Sequence, residues 1–190
     1  MPEIRVLFLG IGTPVPTFIR NRIVQLDEAG QINVVVLAPK DALEGFKLVN
    51  GLILTQLPVC FNLGRTILSL LWLCGRFPAS TIRLWKSLAM YPSRVRLRTF
   101  IKYQSLVRAK RINIVHFQWI VSPDEIKWAK LFFKASVIIN ARGSQLTVYP
   151  ATEPGYEDSI RDSLAAADYI HAVSQSMAKA CIRFGANRDK

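Results

Sequence analysis

Five apolar runs of strand length, four of them followed by a segment with helical spacing, constrain this chain more than any other feature. They are Arg5–Leu9 and residues 33–37, 112–117, 136–140 and 168–173. Val34-Val35-Val36-Leu37 is apolar without a break, which suits a strand covered on both faces. A strand that returns parallel to its predecessor needs a crossover of about a dozen residues or more, ordinarily a helix. The alternation therefore predicts an α/β class: a Rossmann-like, mainly parallel sheet with helices on both faces.

The first run enters the turn Gly10-Ile-Gly12-Thr-Pro-Val15. A helix is expected next, with Thr17 as N-cap, Phe18, Ile19, Ile23 and Leu26 on one face, and Gly30 at its end. Residues 48–57 read as a third short strand or an irregular return. Further helices are expected over 61–73, 79–90, 94–110, Pro123–Phe133, 156–167 and 174–184, with a turn at 141–145. Pro58 and Arg65 leave the apolar stretch 61–73 short of the ~18 uninterrupted residues a membrane span needs. The sequence stops where the next strand would begin, so the chain reads as one half of a larger architecture.

The net charge of +12 is concentrated. No Asp or Glu occurs between Glu44 and Asp124, an interval with twelve basic residues, while the remainder balances thirteen basic against thirteen acidic. Such a block attracts an anionic partner: lipid headgroups, nucleic acid or a phosphorylated substrate. Interleaved Leu and Ile rather than stacking aromatics argue against nucleic acid. The charge reads either as a solvated helix face or as a membrane-surface contact through Arg83, Lys86, Arg94, Arg96, Arg98 and Lys102. Cys60, Cys74 and Cys181 have no CxxC spacing, so reduced core thiols in the cytosol are expected. The amino terminus lacks a basic lead-in and an apolar core, so no secretory signal is expected.

The first turn has two of the three glycines of the dinucleotide fingerprint, with Val15 in the third place, and no acidic residue ends the second strand. Either it serves geometry alone, or its backbone N–H groups at Gly10, Gly12 and Thr13 contact a sugar or phosphate. His116, near a strand end and followed by Gln118 and Trp119, is either a hydrogen-bonded structural residue or a catalytic one. His171 is expected to be structural. Arg142, Gly143 and Ser144 follow a strand directly, forming either an ordinary turn or a contact to a phosphate or hydroxyl. There is no P-loop, no H-E-x-x-H, no G-x-S-x-G elbow and no metal-spaced Cys/His cluster, so neither a metal nor a cofactor is expected.

Four stretches in register resemble family 4 glycosyltransferases of the GT-B fold. Pro16-Thr-Phe-Ile-Arg-Asn-Arg-Ile23 resembles their "P-x-x-x-E-T-F-I-x-N-Q-I" first helix, and Asn113-Ile-Val-His-Phe-Gln118 their "D-I-V-H-x-H" strand end. Ile139-Asn-Ala-Arg-Gly-Ser-Gln-Leu146 resembles "S-x-R-G-S-D-L", and Ala167-Asp-Tyr-Ile-His-Ala-Val-Ser-Gln175 resembles "A-D-x-I-x-x-V-S-E". Gln118, Gln145 and Gln175 stand where the family has His, Asp and Glu.

The resemblance implies that residues 1–190 are a single acceptor-side domain, with residues 44–111 a basic, apolar helical insert. The donor-binding C-terminal domain would be absent and the isolated chain inactive. The implied reaction is retaining, metal-independent transfer of a sugar from a nucleotide-sugar donor to a glycan or lipid-linked acceptor. His116 would contact the transferred sugar or acceptor, and Gly10, Gly12, Thr13, Arg142, Gly143 and Ser144 would bind substrate. The family's membrane-attached members imply a cytoplasmic location, peripheral at the inner face of the cell membrane. A non-catalytic membrane- or saccharide-binding module is the alternative.

Overall fold

The computed structural model describes residues 4–43, 46–56 and 63–190, with only the backbone for 63–67. The elements run β1 (Arg5–Leu9), α1 (Thr17–Glu28), β2 (Asn33–Pro39), α2 (Lys40–Leu43), β3 (Leu52–Gln56), α3 (Leu63–Arg76), α4 (Pro78–Ser87) and α5 (Ser93–Tyr103). After a 3-10 turn at Gln104–Arg108 come β4 (Ile114–Phe117), α6 (Pro123–Phe133), β5 (Ser136–Ala141), α7 (Gly143–Thr147), α8 (Tyr149–Thr152), α9 (Tyr156–Ala166), β6 (Tyr169–Ala172) and α10 (Gln175–Arg183). The strands form one six-stranded sheet in the order β3-β2-β1-β4-β5-β6, with parallel pairing of β2 with β3, β4 with β5 and β5 with β6. This is the doubly wound arrangement, whose strand order reverses between β1 and β4.

By packing, the chain divides into two compact units, and β1 contributes to both. One comprises the residues up to Leu7 with Ile11–Ile112; the other comprises Phe8–Gly10 with Asn113–Lys190.

In the first unit, Val34 through Ala38 are all buried, as their unbroken apolar run requires. Helix α1 packs Ile19 and Ile23 inward together with Asp27, whereas Phe18 is exposed. Pro16, not Thr17, occupies the N-cap: its extended backbone presents a carbonyl to the N–H groups of Ile19 and Arg20, and no side chain caps the helix. Asp27 is 1% exposed, and its Oδ2 accepts hydrogen bonds from the backbone N–H groups of Val49 and Asn50. Next to it, a β-carbon on Gly51 would lie 2.9 Å from Asp27 Oδ1 and 3.0 Å from the Val34 carbonyl. Only glycine lets the chain pass so close before entering β3. Residues 48–51 are thus the irregular return and 52–56 the strand, so both readings of that stretch were partly right.

The expected helix over 94–110 is instead α5 followed by the 3-10 turn. Its Ile101 and Leu106 are buried, but Val95 and Leu97 are exposed. Residues 57–62, with Cys60 and the start of the helix expected at 61, lie outside the described residues. Cys74 is exposed, contrary to the expectation of a core thiol, because α3 turns Leu73 inward and Cys74 outward.

In the second unit, α6 begins at Ser122, whose hydroxyl accepts from Glu125 N–H, with Pro123 in the first turn. It buries Ile126, Trp128, Ala129 and Phe132; a side chain the size of Ile126 or Phe132 is worth about 1.5–3 kcal/mol on burial. The helix ends on Lys134 in the left-handed region at φ 54°. Lys130 Nζ donates to the Ala166 carbonyl and pairs with Asp168 at 2.7 Å, while Asp168 Oδ2 accepts from Val137 N–H at 2.8 Å. One lysine thereby ties α6 to the end of α9 and the start of β6.

Cys181 on α10 is 3% exposed, and burial pushes its thiol up to about 11 from an ordinary 9.0. A group whose pKa is raised on folding stabilises the protein fully below its unfolded value and progressively less above it. Stability is therefore expected to fall between pH 9 and pH 11, with the fall diminished in Cys181→Ala when both are melted across that range. Peptide mapping after brief alkylation at neutral pH should find Cys74 modified well before Cys181.

Candidate functional site

In the second unit, the carboxyl ends of β4, β5 and β6 bring polar side chains onto one face of the sheet. Side chains alternate along a strand, so residues two apart share a face. His116 is in register with Ile138, two residues before Asn140, and Asn140 is in register with His171. Asn140 is 0% exposed, and its Oδ1 accepts from His116 Nε2 at 3.2 Å and from His171 Nδ1 at 2.6 Å. Its Nδ2 donates to Gln118 Oε1 at 3.3 Å, which fixes the carboxamide orientation. With Oδ1 as the common acceptor, both facing ring nitrogens are donors, and one amide sets the tautomers of two imidazoles.

His116 is 5% exposed, with its ring tilted against Phe8 at 5.3 Å. His171 is half-buried and held by its hydrogen bond to Asn140.

Strand β1 ends beside this cluster. The Leu9 carbonyl accepts from Gln118 N–H at 2.9 Å, and Gly10 follows with φ +74°. A β-carbon on Gly10 would meet Gln118 N and the Trp119 ring at ordinary van der Waals distance, so the backbone conformation rather than space calls for glycine here. Trp119 in turn lies under the guanidinium of Arg142, 5.1 Å from ring centroid to carbon. Arg142 Nε donates to the Gln118 carbonyl at 3.0 Å. Gly10, Gln118, Trp119 and Arg142 thus meet at the ends of β1, β4 and β5.

Gly143 and Ser144 do not form the expected turn; they open the short helix α7, with Arg142 extended before it. Ser144 is exposed. Gln145 is buried and bonds the Ile120 backbone twice, accepting from N–H at 2.9 Å and donating to C=O at 2.8 Å. It also bonds the Tyr156 phenol, whose pKa burial pushes above 10.0. Gly12 and Thr13, in the first unit, are exposed on the turn after β1.

Two residues important to this arrangement were not singled out from sequence. Asn140 gave one signal, a polar residue ending an otherwise apolar run. Gln145 registered only as a departure from a family pattern.

In the first unit, Arg83, Lys86, Arg94 and Arg98 are exposed, while Arg96 and Lys102 are half-buried. Arg96 is occupied: Nε and Nη2 donate to the Trp85 carbonyl at 3.1 and 2.7 Å, and its guanidinium stacks on the Trp85 ring at 4.1 Å. Lys102 Nζ lies 4.8 Å from the Tyr103 ring centroid. In the same region, from α3 to α5, Leu68, Leu71, Trp72, Ile82, Trp85, Met90, Val95 and Leu97 are exposed. No helix among the described residues is long and apolar enough to cross a membrane.

No protein-family model matches the sequence, and no curated protein matches it. Among solved structures, the chain is similar to a Listeria monocytogenes protein described as a UDP-N-acetylglucosamine 2-epimerase, with a TM-score of 0.54 and 12% identity. The match covers 99% of this chain and 44% of that structure, so the chain spans less than half the length of its structural neighbour. At this identity the likeness concerns architecture. Together with the strand order, it gives the chain a GT-B-like Rossmann fold.

Proposed function

We propose that this chain is the acceptor-side domain of a retaining glycosyltransferase that moves a sugar from a nucleotide-sugar donor to a glycan or lipid-linked saccharide. The observation that carries this reading is the convergence of Gly10, Gln118, Trp119 and Arg142 at the carboxyl ends of β1, β4 and β5. That is the switch point of the strand order, where ligands of doubly wound sheets bind. An arginine stacked on tryptophan at this point places a positive charge where a phosphate or sugar oxygen would sit. The aromatic face beside it suits the apolar side of a pyranose. His116, oriented by Asn140, contacts the transferred sugar or acceptor, and Gly143 and Ser144 contribute to substrate binding. The family-4 motifs quoted above support transfer in particular.

The test joins this chain to a donor-binding domain of the same architecture and assays panels of nucleotide-sugars. His116→Ala is expected to lower kcat at least tenfold while circular dichroism and the melting temperature show a folded protein. Full turnover by a folded His116→Ala enzyme would remove the catalytic assignment.

A second reading, a peripheral membrane module, is favoured by the exposed apolar side chains of α3, α4 and α5 together with the exposed cations Arg83, Lys86, Arg94 and Arg98. Basic residues next to an anionic bilayer contribute roughly 1 kcal/mol each, and partly inserted apolar side chains add to this. The occupant is an anionic lipid surface, by charge complementarity. Sedimentation with phosphatidylserine vesicles at low salt should carry the chain down, and Arg83, Lys86, Arg94 and Arg98 changed together to Gln should leave it in solution. No sedimentation of the wild-type chain at low salt would exclude the membrane.

A further inference from the structure

We propose that a cavity at the amino ends of β1, β2 and β3 binds a small molecule bearing a diphosphate or a comparable cluster of phosphate charge. The parallel-sheet rule places ligands at the other, carboxyl ends of strands, so this site is separate from the one above and does not rest on the glycosyltransferase reading.

The cavity has a volume of 340 Å³, within the range of small-molecule pockets and several times larger than one phosphate ion. Its lining is chemically one-sided. Arg5, Arg108 and Lys110 bring three cations, Asn33 and Asn50 bring two carboxamides, Leu52 supplies an apolar wall, and no carboxylate lines it among the described residues. The placement follows from the fold: Arg5 and Asn33 are the first residues of β1 and β2, and Asn50 lies two residues before β3. Arg108 ends the 3-10 turn, and Lys110 follows on the way to β4.

Among the described residues, an acidic group nearby is Asp27, whose Oδ2 is committed to the N–H groups of Val49 and Asn50. That carboxylate fixes the backbone that carries Asn50. Arg5 and Asn33 make further contacts of their own, so the proposal rests on Arg108 and Lys110, which are exposed cations two residues apart. Two like charges as close as Arg108 and Lys110 repel one another, and a multiply charged anion relieves that repulsion. A guanidinium can accept the edge of a phosphate with two N–H groups, and an ammonium can meet it as a point charge.

The same chemistry could arrive in a soluble molecule or on a lipid headgroup, and two arms separate the sources. In the first, pyrophosphate is titrated into the full chain by calorimetry at low ionic strength. In the second, the chain is floated with phosphatidylcholine vesicles containing phosphatidic acid. Two variants are compared with wild type: Arg108→Gln with Lys110→Gln, which removes charge, and Leu52→Trp, which fills the cavity and leaves every charge in place.

Saturable one-to-one binding in either arm, weakened at least tenfold by both variants, is the expected result. Response to pyrophosphate alone identifies a soluble ligand; vesicle flotation that pyrophosphate competes away identifies a headgroup. Absence of wild-type binding in both arms overturns the proposal. So does binding that Leu52→Trp leaves unchanged, because the charges would then act as a diffuse surface and not as a cavity. The four residues changed in the phosphatidylserine test are absent from this lining, so either idea can fail alone.

Discussion

Asn140→Leu is expected to lower the unfolding free energy by about 3–5 kcal/mol. Leucine removes the acceptor of His116 Nε2–H and His171 Nδ1–H and the donor to Gln118 Oε1. Each buried polar group left without its partner costs about 1–3 kcal/mol, and the lower end applies to His171, which can turn toward water. Asn140→Asp should be much milder. A carboxylate still accepts from both imidazoles, and a flip of the Gln118 amide would present Nε2 in place of Oε1. That nitrogen is buried without a hydrogen-bond partner among the described residues. Urea titrations of the three proteins test this, and a leucine variant with an unchanged midpoint and slope would show that the network contributes nothing to stability.

Asp27→Ala should cost about 2–4 kcal/mol. Two hydrogen bonds to a charged acceptor are lost, at roughly 1.5–3 kcal/mol each. Part of that is returned, because Asp27 Oδ1 is buried with no hydrogen-bond partner among the described residues and its desolvation cost disappears with the charge. The effect should be local before it is global. Amide exchange at Val49, Asn50 and the β3 residues should accelerate in the variant, while β5 and β6 keep their protection under the same conditions. Equal acceleration throughout the chain would mean that Asp27 does not specifically hold the return into β3.

The strands were legible because their signal is local. Unbroken apolar runs such as Val34-Val35-Val36-Leu37 announce burial on both faces, and Pro123 with Asp124 and Glu125 announces α6 to the residue. The 48–57 stretch was harder because its shape depends on distant groups. Asp27, twenty-two and twenty-three residues away from Val49 and Asn50, holds the return, and no periodicity encodes such a clamp. The site divided the same way. Gly10 declared itself through turn chemistry and Arg142 through its place after a strand. The pairing of Arg142 with Trp119, and of two histidines with one asparagine, depends on strand register, which a linear reading does not supply. The charge block was plain in the sequence, but its allocation was not: Arg96 looks like its neighbours and is spent on Trp85.

Gln145 illustrates what a family comparison of letters alone would misjudge. At that position the resembled family has an aspartate, and the glutamine invites the reading of a lost acidic group. In this chain its amide completes a two-way bond with the Ile120 backbone, giving a proton in one direction and taking one in the other. Ionised aspartate can only take, and its side chain is one methylene shorter. Writing the family's residue back into this position would therefore repair a spelling and unlatch a loop.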